Sequence, residues 1–111
     1  MKSKLKTALE RRAVPRGGVA LAWLGQAGFV LKGPGGTLLA LDPYLSDSCR
    51  ALGAAGGLDM RRQVPAPLAA GELVDFDAIA FTHSHQDHVD PATLRPYLHL
   101  GGRASLIAPP A

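Results

Sequence analysis

The sequence predicts an α/β domain: a mixed sheet that starts as an antiparallel meander, with flanking helices. Two observations carry this. Three short apolar runs, 19–24, 27–32 and 37–41, are separated by Gly25-Gln26 and by Gly33-Pro34-Gly35-Gly36. Short apolar runs joined by such turns pair as antiparallel neighbours. Farther on, an apolar run at 78–81, a polar loop, a helix opening at Pro91 and an apolar run at 104–108 follow one another. Strands alternating with helical segments build layered α/β folds.

Residues 3–12 suit a short helix, because Leu5, Ala8 and Leu9 stand at helical spacing. Pro15-Arg16-Gly17-Gly18 breaks it. The three meander strands follow, and the third ends at Asp42-Pro43. Their nearly continuous apolar character predicts cover on both sheet faces. Residues 44–76 are the hardest to read. Ser46-Asp47-Ser48 suits the cap of a short helix, Gly53 to Gly57 a small-residue loop, and Pro65-Ala66-Pro67 an extended excursion. Beyond the polar loop, Asp90 is a candidate N-cap, with Pro91 at the first helical position. Leu94, Tyr97 and Leu98 are expected to face the core, and Gly101-Gly102 to end the helix.

A chain of 111 residues with 47% hydrophobic composition is globular and has room for one domain. The single cysteine, Cys49, excludes an intrachain disulfide and reads as an incidental loop thiol. No apolar run approaches the roughly 18 residues of a membrane helix. The basic start is not followed by an apolar signal region, so a cytoplasmic location and no membrane partner are expected. Net charge is +3 and is unevenly spread. Residues 1–16 hold Lys2, Lys4, Lys6, Arg11, Arg12 and Arg16 against Glu10 alone, so they read as a basic N-terminal arm ahead of a body at 17–111. A solvated helix explains such a segment, and an anionic partner is the sharper alternative. Without interleaved aromatic residues, nucleic acid is not expected as a partner.

The functional signal lies in Thr82-His83-Ser84-His85-Gln86-Asp87-His88-Val89-Asp90. Three of the four histidines fall within six residues, with an aspartate directly before the third. Imidazole and carboxylate are ligands for zinc, manganese and iron. In an extended segment residues two apart project to the same side, so His83 and His85 can converge on one ion. The chain must then turn into the helix, which aims Asp87 and His88 elsewhere, toward a second ion nearby. His99, at the end of the next helix, reads as a surface residue facing the helix dipole.

His83-Ser84-His85-Gln86-Asp87-His88 resembles the His-x-His-x-Asp-His motif of the metallo-β-lactamase-fold hydrolases. Trp23-Leu24-Gly25-Gln26-Ala27-Gly28-Phe29 and Leu41-Asp42-Pro43-Tyr44 are similar to the first strands of the ascorbate 6-phosphate lactonase branch. The resemblance implies an αβ/βα four-layer sandwich of which this chain supplies the first half. It implies two divalent ions, Zn²⁺ or Mn²⁺, one held by His83 and His85 and the other by Asp87 and His88. It gives Asp87 the task of orienting the nucleophile. It gives Asp42 a supporting place behind a ligand histidine, although an Asp-Pro turn starter reads equally well.

Members of that family supply further ligands from later in the chain, so the resemblance implies a truncated domain, inactive alone. The activity implied is metal-dependent hydrolysis of a small molecule, a lactone or a phosphate ester. A phosphodiesterase or nuclease on the same fold, or a non-catalytic metal-binding fragment, are the alternatives. Arg61-Arg62 suits a substrate phosphate or a plain surface pair. A half-sandwich is also expected to associate, giving a possible homo-oligomer.

Overall fold

The computed structural model describes residues 2–110; Met1 and Ala111, the outer ends of the two expected segments, lie outside the described residues. The meander forms as expected. β1 (Ala20–Trp23) pairs antiparallel with β2 (Phe29–Lys32), and β2 pairs antiparallel with β3 (Leu38–Leu41). The chain then crosses over to β4 (Ala78–Ala80), parallel to β3, and crosses again to β5 (Ser105–Ile107), parallel to β4. The result is one mixed sheet in the order β1-β2-β3-β4-β5.

Register sets the two faces. Ala22, Val30, Ala40 and Ile79 are opposed across the sheet and share one face. Val30, Ala40 and Ile79 are fully buried there, together with Leu24, Leu73 and Tyr97. The alternate row holds Leu21, Trp23, Phe29, Leu31, Leu39, Leu41 and Ile107. On this face Leu21 is 62% exposed and Trp23 52% exposed. The expectation of two covered faces is therefore corrected: the described residues cover one. Apolar content alone cannot separate a strand buried on both sides from one whose second face is bare.

Three helical segments cover the buried face. Helix α1 (Lys4–Arg11) starts at Ser3, whose hydroxyl accepts from Lys6 N–H. Lys4, Arg11 and Arg12 lie on an exposed face, as a solvated helix requires. Lys6 does not: it is buried, donates to Glu72 O at 3.0 Å and is paired with Asp75, with the Phe76 ring beneath it. The segment that receives it, a 3₁₀ turn at Ala70–Asp75, was not anticipated.

Helix α2 (Cys49–Ala55) takes up part of the expected Gly53 to Gly57 loop. Gly53 lets Met60 lie against the helix; a Cβ there would stand 2.5 Å from Met60 Cγ. Cys49 is not a loop thiol but the buried first residue of this helix, and burial pushes its pKa up. No helix among the described residues is long and apolar enough to cross a membrane.

Helix α3 (Pro91–His99) begins at Asp90 and ends before Gly101, as expected. Its core stripe differs. Thr93 and Tyr97 are buried, Leu94 is half-buried and Leu98 is 57% exposed. The reason is polar. Thr93 Oγ1 accepts from Leu45 N–H at 2.8 Å and donates to Asp90 at 2.6 Å, which rotates the helix toward Thr93.

Glu72 carries the docking of α1. It accepts from Ser3 N–H and Ser3 Oγ, and from Ala69 N–H. Burial raises its pKa, but those bonds and the charge of Lys6 outweigh burial and hold the carboxyl below its usual range. A lowered folded-state pKa stabilises above the unfolded value of about 4.3 and is lost as pH falls through the folded one. Glu72→Gln is expected to cost about 1–2 kcal/mol at neutral pH. It should also flatten the loss of stability below about pH 4, read as urea midpoints across that range.

Candidate functional site

The histidine-rich loop leaves the sheet at the end of β4, beside the end of β3. Two glycines let the β1–β2 hairpin crowd the same edge. Gly28 lies so close to Asp42 that a Cβ would meet its carbonyl oxygen at 2.3 Å. Gly25 adopts φ 91°, and a Cβ there would stand 2.7 Å from Arg62 Nη2. Arg62 is thereby engaged: Nε donates to Val64 O at 2.9 Å, Nη2 to Leu24 O at 2.7 Å, and Nη1 to Tyr44 O and Ser46 O. Its fork is consumed by backbone carbonyls, so the reading of Arg62 as a phosphate contact is corrected. Arg61 is exposed and pairs with Asp59, as a surface residue would.

Asp42 anchors the loop. It is buried and holds a left-handed backbone, φ 47°, which Asp tolerates better than most residues. Its carboxylate accepts from Thr82 N–H at 2.8 Å and from Thr82 Oγ1 at 2.6 Å. His88 Nδ1 lies 2.8 Å from the same carboxylate, close enough to bond but poorly aligned, and it has no other partner among the described residues. Burial raises the pKa of Asp42, but the Thr82 bonds and His88 outweigh it and hold the carboxyl below its usual range. The structure thus sets the Asp42 carboxylate against Nδ1 of His88.

The four motif side chains come together on one loop. A turn, with His88 N–H and Val89 N–H both donating to His85 O, curls the chain back on itself. The His83 ring meets the His85 ring edge-on at 4.5 Å between centroids and the tilted His88 ring at 4.0 Å. So the turn returns His88 to His83 rather than aiming it elsewhere. Asp87 Oδ2 is 3.6 Å from His88 Nε2. Thr82 Oγ1 sits 2.9 Å from His83 Nδ1. Among the described residues, no group of three or more His, Cys, Asp or Glu side chains is placed to hold a metal ion. His99 stays apart, exposed in the last turn of α3.

Several residues around the loop escaped sequence reading. Gln26, read only as a turn residue, donates from Nε2 to Asp87 Oδ2 at 2.9 Å. Asp90 does more than cap α3: it accepts from Ser46 Oγ and Ser48 Oγ, which ties the α2 segment to the end of the loop. Gln86 joins this group through Ser48 Oγ at 3.1 Å. The Ser46-Asp47-Ser48 cluster was a visible signal of polar capping, but its partner is Asp90, 42 to 44 residues away. A cleft of about 460 Å³ opens beside Asp87, lined also by Trp23, Gln26, Tyr44, Met60 and Val64.

A mixed sheet with helices on one face and a His/Asp loop at a strand end defines a class of α/β domains that carry functional groups on strand-end loops. Residues 20–110 match the beta-lactamase superfamily domain, and the chain belongs to that superfamily. Its sheet and helices are consistent with the first half of a metallo-β-lactamase fold. The chain is 39% identical over 77 residues to a UPF0173 metal-dependent hydrolase of Anaeromyxobacter dehalogenans, covering 69% of this chain and 23% of that protein. A UPF0173 metal-dependent hydrolase of Myxococcus xanthus is 36% identical over 80 residues, covering 72% and 23%. One from Rubrobacter xylanophilus is 35% identical over 72 residues, covering 65% and 24%. The chain thus spans about a quarter of the length of these curated relatives.

Asp42 supplies the clearest test of how the loop is held. Asp42→Asn keeps the left-handed backbone and an acceptor for Thr82, and is expected to cost about 1 kcal/mol. Asp42→Val leaves Thr82 N–H unpaired and strains a β-branched residue at positive φ, for about 3 kcal/mol or more. Denaturant unfolding of the two variants checks the order.

Proposed function

We propose that this chain carries metal-binding residues of a metal-dependent hydrolase, lactonase-like, with a lactone or a phosphate ester as substrate. The proposed ligands are His83, His85, Asp87 and His88, holding two divalent ions, Zn²⁺ or Mn²⁺. The observation that supports this most is the state of the ring nitrogens. Nδ1 of His83 faces Thr82 Oγ1 and Nδ1 of His88 faces Asp42. Both rings are thereby turned to offer Nε2 as the free donor, the arrangement by which an outer carboxylate or hydroxyl orients a metal-binding imidazole. The buried, poorly paired Nδ1 of His88, 2.8 Å from the Asp42 carboxylate, also suits this reading. Donors of this chemistry fit a borderline divalent ion.

A divalent ion bound there supplies a water with a pKa lowered to about 7 and polarises the bond under attack. The rest of the task falls to the chain. Asp42 and Thr82 hold the loop and set the tautomers of His88 and His83. Asp87 orients the nucleophile through its carboxylate. The relatives named as metal-dependent hydrolases support the hydrolase reading. Two observations weigh against a nuclease: Lys6 of the basic segment is buried against Asp75, and Lys2 pairs with Glu10.

Calorimetric titration of the chain with Zn²⁺ and with Mn²⁺ tests the assignment. His83→Ala, His85→Ala and His88→Ala are each expected to weaken binding at least about tenfold, the scale of losing a directing contact or more. Unchanged affinity in the His83→Ala/His85→Ala pair would sink the assignment.

A further inference from the structure

We propose that Gln26 is a positioning residue for Asp87, holding its carboxylate ready for a divalent cation. The inference rests on the metal-binding reading of the loop and extends it to the β1–β2 hairpin, 61 residues earlier in the chain.

The geometry is directional. A carboxylate only accepts, so the group of Gln26 that meets Asp87 Oδ2 at 2.9 Å is its NH₂. The oxygen it engages is the one 3.6 Å from His88 Nε2. Engaging Oδ2 fixes the rotation of the carboxylate and leaves Oδ1 with no side-chain partner among the described hydrogen bonds. Asp87 itself sits on a turn closed by backbone bonds to His85 O, and among the described residues Gln26 is the one side chain that hydrogen-bonds its carboxylate.

Gln26 can do this because its own turn is held from several sides. Its carbonyl accepts from the indole N–H of Trp23. Leu24 N–H donates to Gly28 O at 2.9 Å and closes the turn. Arg62 grips Leu24 O at 2.7 Å and packs on Gly25. Gly28 seats the turn on Asp42. The glutamine is therefore presented to the carboxylate by a hairpin tied at several points. Donors of this kind, one step behind a ligand, commonly change metal affinity by 10–100-fold.

Two measurements on the whole chain test this. The first needs no metal. In the free protein, the side-chain amide protons of Gln26 are expected to move on Asp87→Ala, followed by ¹H–¹⁵N NMR; signals indifferent to that change would overturn the contact. The second is calorimetry with Zn²⁺ and Mn²⁺. Gln26→Met, which keeps length and loses the donor, is expected to weaken binding about tenfold with little change in melting midpoint. In the Asp87→Ala background, Gln26→Met should change affinity no further. Equal affinity of Gln26→Met and wild type, or an undiminished loss in the Asp87→Ala background, overturns the proposal. A wild-type chain that binds neither ion overturns the metal assignment itself and the role of Gln26 in it. The amide signals then still report whether Gln26 holds Asp87.

Discussion

The contact on which the rest of the site depends is the pair of hydrogen bonds from Thr82 to the buried carboxylate of Asp42. It joins the end of β3 to the start of the histidine loop, where the ladder between β3 and β4 runs out. Parallel pairing brings the two strand ends to one edge, and Asp42 N–H donates to Ala80 O to complete the junction. A buried carboxylate without donors would be costly. Here two well-formed bonds and a neighbouring imidazole keep it ionised. The loop's first residue is thereby fixed, and the three imidazoles can converge within a few residues of it.

Two further ties act near the same edge and meet at Ser46. Arg62 binds carbonyls of Leu24, Tyr44, Ser46 and Val64, drawing the hairpin, the end of the third strand and the long excursion into one unit. Its planar fork suits that, since several donors in fixed directions can satisfy several acceptors at once. Asp90 gathers Ser46, Ser48 and Thr93 around the first turn of α3. Both are buried or half-buried polar centres whose hydrogen bonds are largely satisfied, so they specify geometry rather than merely filling space.

The sheet shows a division of the same kind. The face lined by Val30, Ala40 and Ile79 is covered by α1, the 3₁₀ turn and α3, and its side chains are fully buried. The opposite face displays Leu21 and Trp23 to solvent. An apolar face of this extent suits a further packed layer, as the four-layer architecture implied by the motif resemblance provides.

By itself the sequence determined the meander, the strand–loop–helix order after it and the place of the histidine-rich loop. Glycine turns and short apolar runs fixed the meander, Asp90-Pro91 fixed the start of α3, and the spacing of His83, His85, Asp87 and His88 singled out the loop. These signals are local: each needs only a few neighbours along the chain. Tertiary structure alone decided which distant groups meet. It turned Arg62 from a candidate anion contact into a backbone tie, faced Thr93 rather than Leu98 inward, and aimed Gln26 at Asp87. It also brought the His88 ring back onto His83. Hydrogen-bond partners tens of residues apart depend on strand register and crossover path, and periodicity carries neither. The same limit hid the bare sheet face, because an apolar run reads alike whether one side or both are covered.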